Sequence, residues 1–185
     1  LSYTDRPFEP LSAAALKSEL EQKVYPGFRL KQTAHYLVFY KCSPEFANAS
    51  ATLLESLYSG LLKEFRGRGL AVRETPLPLV AVVFHTEAEF RAFRPIQQEV
   101  QAYYDIISNH VFFYEHTDRE RRAPEIELLR KPQTVAHEGT HQILQNIGVQ
   151  PRLAPWPLWL VEGMAEYCSP TSTKKGAQWA GLGAV

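Results

Sequence analysis

The chain has 185 residues, 45% of them hydrophobic, with Lys plus Arg and Asp plus Glu both totalling 20. That length suits a single domain with one sizeable core. Zero net charge and the lack of a long basic stripe argue against nucleic acid as a partner. No run approaches the roughly 20 apolar residues of a membrane-spanning helix, so no transmembrane segment is expected.

The first residue is Leu1 rather than Met. Export or a place in the cell envelope follows if a leader was removed, and a cytoplasmic place otherwise; the chain can also be a fragment of a longer one. Cys42 and Cys168 are too few for a disulfide framework and lack Cys-x-x-Cys spacing. Two buried free thiols are expected, with one disulfide as the alternative.

Residues 11–22 read as a helix, since Leu11, Ala15, Leu16 and Leu20 keep to one side until Pro26-Gly27 breaks it. Residues 34–40, rich in aromatic and branched side chains, suit a buried strand. Ser43 as N-cap and Pro44 at the first helical position then open the longest helix, which runs to about Gly67. Residues 78–85 form an apolar run suited to a central strand, and Thr86 with Glu89 makes a capping box for a short helix through Phe93. Residues 101–104 and 110–115 read as a hairpin turning at Ser108-Asn109. Charges crowd residues 117–131, where Pro124 interrupts any long helix, so a solvated connection is expected.

Pro132 opens a helix that buries Val135, Ile143, Leu144 and Ile147 and stops at Gly148. Within it lies His137-Glu138-Gly139-Thr140-His141. Residues at i and i+4 share a helical face, so both imidazoles can reach one tetrahedral ion. Glu138 is turned about 100° away, which suits a general base for water rather than a ligand. Such a pentapeptide arises by chance in on the order of one sequence of this kind in a hundred, so it needs support. Support comes from a second short helix, residues 157–167, which carries Glu162 and Glu166 at i and i+4. Two carboxylates on an otherwise apolar helix are costly if buried without a cation nearby. The loop 148–156 is long enough to fold that helix back on the first.

Through HEGTH and the downstream WLVEGMAEY the chain resembles the gluzincin metallopeptidases, of which thermolysin is the familiar member. The resemblance is closest to bacterial domain-of-unknown-function proteins that pair HExxH with a W-x-x-E-G-x-A motif, and it covers residues 134–167. It implies one zinc ion held by His137, His141 and Glu162, with Glu138 as base and Glu166 orienting a histidine ligand from behind. Glu162 lies 21 positions after His141, which is compatible with the class. It also implies an α+β, zincin-like fold, in which a small mixed sheet packs on an active-site helix carrying HExxH and a following helix supplies the third ligand.

Only 23 residues follow Glu162. The group that stabilises the oxyanion is therefore sought elsewhere, and Tyr114, His110 and Tyr167 are the candidates. Residues 110–115 are the candidate edge strand for pairing with an extended peptide substrate. Trp156 and Trp159 are expected to anchor the core, and His35, His85 and His116 to be structural, with no second metal site. The function expected is a zinc-dependent metallopeptidase. The alternatives are a catalytically silent zinc-containing binding module, or a zinc hydrolase of non-peptide amides or esters.

Overall fold

The computed structural model describes residues 11–116, 132–152, 154–172 and 177–184. The expected connection over residues 117–131 lies outside them, as does the side chain of His116. The architecture is mixed α+β, with a five-stranded sheet in the order β1-β2-β3-β5-β4. Its strands are β1 (Arg29–Gln32), β2 (Tyr36–Tyr40), β3 (Leu79–Thr86), β4 (Ala102–Asp105) and β5 (His110–His116). β2, β3 and β5 run parallel, while β1 and β4 are antiparallel edges. β3 is central and buries every residue from Leu79 to Phe84, as the unbroken apolar run predicted.

Parallel neighbours need a crossover. Between β2 and β3 it is α2 (Pro44–Gly67), whose start is fixed as expected: Ser43 Oγ accepts the Phe46 N–H at 3.2 Å and Pro44 takes the first position. The capping box is also present, with Thr86 Oγ1 accepting from Glu89 N–H at the head of α3 (Glu87–Phe93). The first helix is shorter than predicted. α1 spans Ala13–Glu19 and loosens into a π-helical turn over Leu20–Val24, which buries Leu20.

Alternation along the strands divides the core between two faces. Tyr36, Val38, Ala81, Val83, Val111 and Phe113 pack against α2 and against α4 (Pro132–Asn146). On the other face Leu37, Phe39, Val82, Phe84, Phe112 and Tyr114 pack against Leu20, Tyr25 and Phe90. α4 lies close to α2 because residue 139 is glycine: a Cβ there would sit 2.7 Å from Leu54 Cδ2. The helix stops at Gly148, whose φ of 95° suits a residue without Cβ. The chain then turns into α5 (Leu158–Cys168), started by Pro157.

Beyond α5, the two-residue strands β6 (Thr171–Ser172) and β7 (Gln178–Trp179) pair antiparallel. Trp179 ties them down: its Nε1–H donates to the Cys168 carbonyl at 2.7 Å and its backbone N–H to Ser56 Oγ at 3.1 Å. The ring lies over Gly60 of α2, where any Cβ would collide with it. Cys42 and Cys168 are both free and buried. Among the described residues no helix is long and apolar enough to cross a membrane.

Candidate metal centre

α4 and α5 meet at His137, His141 and Glu162. Their ligand atoms form a small triangle: His137 Nε2 to His141 Nε2 is 3.2 Å, His137 Nε2 to Glu162 Oε2 is 3.1 Å, and His141 Nε2 to Glu162 Oε2 is 3.5 Å. A tetrahedral ion with ligands at roughly 2.0–2.1 Å spaces them about 3.3–3.4 Å apart, so the triangle has the size of one tetrahedral face. These three residues are a group that could hold a metal ion. The two rings stand nearly perpendicular, at 80°. Each can therefore aim an Nε2 lone pair at a common point without stacking on the other.

The other nitrogen of His137 is also occupied. Its Nδ1 lies 3.4 Å from Glu166 Oε2, a carboxylate one turn beyond Glu162 on the same face of α5. This is an ion-pair distance, and a carboxylate on the Nδ1 side favours the tautomer that leaves Nε2 as the ligand nitrogen. Burial lowers the pKa of His141, with the His137 charge adding to the effect and the Glu162 carboxylate opposing it. The neutral, ligating form of that ring is thereby favoured.

Glu138 is not one of the three clustered ligands, but its carboxylate is close enough to interact with the charges of His137 and Glu162. Glu138 Oε2 accepts the backbone N–H of Tyr104, in edge strand β4, at 2.8 Å. Burial pushes its carboxyl up to about 7, and the Glu162 charge adds to this, while His137 and the Tyr104 N–H pull the other way. A cation held at the triangle would also pull it down. Tyr104 was not among the residues singled out from the sequence. The signal that could have found it is the contrast between AYYD, flanked by Gln101 and ending on Asp105, and the apolar VFFY of residues 111–114: the second reads as an interior strand, leaving the first as the edge.

Several expectations are corrected here. Residues 110–115 are not an edge, since β5 lies between β3 and β4; the edge beside α4 is β4. His110 and Tyr114 face the side of the sheet opposite α4. His110 Nδ1 is 2.7 Å from Tyr25 Oη, and Tyr114 packs on Phe90 with ring centroids 5.1 Å apart. Neither is placed to touch a substrate at the triangle. Tyr167 does lie on α5 near the cluster, with its ring exposed.

Trp156 and Trp159 are not core anchors either, Trp159 being 75% exposed. Glu162 and Glu166 are exposed as well. The cost of burying two carboxylates is therefore not what brings them together, and their common aim at His137 is the stronger reason. His35 is structural as expected, its Nδ1 bonding Glu55 at 2.7 Å and its ring stacking on Tyr58. His85 Nδ1 lies 3.3 Å from the buried carboxylate of Glu115, which also accepts the Ser43 N–H at 2.8 Å. Among the described residues no second group of metal ligands is found.

The structural role of His110 has a measurable consequence. Burial pushes its pKa down to about 4, with the Asp105 charge opposing. The folded value lies below the unfolded one, so stability from the neutral ring is full above about pH 6.5 and is lost as pH falls towards 4. Between pH 7 and pH 5 this group should cost about 2 kcal/mol of stability. Urea unfolding at both pH values should show a shallower acid loss in His110→Asn than in the wild type; equal losses would remove His110 as the cause.

Residues 131–185 match the model of a family described as "Protein of unknown function (DUF1570)". No curated protein matches the chain. The matched stretch contains α4, α5 and the small hairpin after them, and so all three residues of the triangle.

Proposed function

We propose that the protein is a zinc-dependent hydrolase of the gluzincin type that cleaves peptide bonds. The observation that carries this reading is the triangle of His137 Nε2, His141 Nε2 and Glu162 Oε2, with sides of 3.1–3.5 Å. Two neutral imidazoles and one carboxylate are the donor set of catalytic zinc, and three protein ligands leave a tetrahedral position open. When bound, zinc supplies Lewis acidity, which polarises a carbonyl oxygen and makes water acidic near neutral pH.

The residues of the chain do the rest. Glu138 takes the proton from the attacking water and passes it to the leaving amine. The Tyr104 N–H fixes the carboxylate of Glu138, and Glu166 fixes the ring of His137. Among the described residues β4 is the sheet edge along α4, and beyond the Tyr104 N–H that Glu138 takes, an extended peptide can pair against it through its backbone. The same features favour a zincin-like version of the α+β fold: a mixed sheet with its edge beside the HEGTH helix, and the third ligand on the helix that follows.

A panel of peptides, small amides and esters, assayed with zinc and with a chelator, tests the reading. Chelator-sensitive turnover is expected for peptides above all. Turnover of small amides or esters alone would replace the peptide with another acyl substrate. A tightly held zinc with no turnover of any substrate would favour a silent binding module.

A further inference from the structure

We propose that the groove beside the metal cluster is a subsite for a lysine or arginine side chain flanking the scissile bond; this rests on the hydrolase reading above. Residues four apart on α5 form two adjoining rows. Leu158, Glu162 and Glu166 make one row, and Trp159, Gly163 and Tyr167 make the other. In the first row Glu162 and Glu166 face the histidines. The second borders an open groove of about 540 Å³ whose lining includes Gln133, Gly163, Glu166, Tyr167, Thr171 and Gly183. Gln133 is one turn before His137, and Glu166 touches His137, so the groove begins where the cluster ends.

Two features indicate that this groove is kept open. Gly163 sits inside a helix, where glycine is less stable than alanine. Among the described residues neither packing nor backbone conformation requires glycine there, since a Cβ would meet none of them within 4 Å and its φ is not positive. Its effect is to leave the floor of the groove bare. The Tyr167 ring is braced as a wall: a Cβ on Gly183 would lie 2.5 Å from its Cε2, and Gly183 N–H donates to the Tyr167 carbonyl at 2.7 Å.

The chemistry of the walls selects the occupant. Glu166 engages His137 through one carboxylate oxygen, and its other oxygen can accept from a guest. An aromatic wall takes the alkyl stem of a long cationic side chain, and the carboxylate takes its head. Among the described residues no cationic side chain lines the groove. An acidic side chain would be repelled, and an apolar one would strip water from the carboxylate without replacing it.

The test uses acetylated alanine hexapeptides with one central Lys, Arg, norleucine or Glu. Binding is read by competition on zinc-loaded Glu138→Gln protein, and turnover is read on wild type. Lys and Arg peptides should bind roughly tenfold more tightly than the norleucine peptide. Adding Gly163→Leu, which fills the floor, should abolish that preference while leaving zinc content unchanged, and adding Tyr167→Ala should weaken it. Equal affinity for Lys and norleucine peptides, or a preference that survives both substitutions, overturns the proposal. The two readings separate cleanly. Turnover without a cationic preference removes the subsite and spares the hydrolase, whereas a preference in binding without turnover does the reverse.

Discussion

Glu138→Gln should retain the metal and lose turnover. The amide keeps an oxygen that can accept the Tyr104 N–H, now 2.8 Å from the carboxylate, so the local geometry survives. What disappears is the ability to take and return a proton, a step that typically contributes about 10²–10⁴-fold. A loss of that order in kcat, with metal content and melting temperature close to wild type, is the expected result. Turnover near the wild-type level would show that the proton goes elsewhere.

The second large effect belongs to His141. This ring is buried, and its Nε2 is one corner of the triangle. His141→Ala leaves two ligands, one of them on the exposed face of α5, and should weaken metal affinity on the order of a hundredfold or more. The metal also couples to folding, because it binds the native arrangement of α4 and α5 and not the unfolded chain. At a metal concentration a thousandfold above Kd, that linkage amounts to about 4 kcal/mol. A chelator should therefore lower the melting temperature of the wild type and leave that of His141→Ala almost unmoved. An equal chelator effect on both proteins would place the stabilising metal somewhere else.

Features written in local chemistry were legible in the sequence. Ser43 with Pro44 marks the start of α2, Thr86 with Glu89 closes a capping box, and the i, i+4 spacing puts His137 and His141 on one face. Glu162 was also legible, although the argument from buried carboxylates does not apply to its exposed side chain. Features set by long-range pairing were less accessible. β1 has the polar sequence RLKQ and is a strand only because β2 offers it an edge. Strand alternation groups His110 with Tyr114, but which face α4 covers is a matter of topology, and the two residues lie on the other one. Trp156 and Trp159 misled for a related reason: an aromatic residue beside a helix start is usually buried, and here that side of α5 is left uncovered next to the cluster.

The cluster and the groove beside it draw on α5 in different ways. The triangle depends on α5 lying against α4, and α5 is fixed at its far end by Trp179 on the Cys168 carbonyl. Of the α5 residues facing the groove, Glu166 also touches His137, whereas a Cβ on Gly163 would meet no described residue. On the proposed reading, substitution of Gly163 should change substrate preference before it changes metal content, whereas substitution of Glu166 should affect both.

Elemental analysis of the gently purified wild-type chain, beside Glu138→Gln and His141→Ala, measures the central claim most directly. One zinc per chain in the wild type and in Glu138→Gln, with little or none in His141→Ala, is the predicted result. A wild-type chain without stoichiometric metal, or with the same content as His141→Ala, would contradict the assignment of His137, His141 and Glu162 as a metal centre.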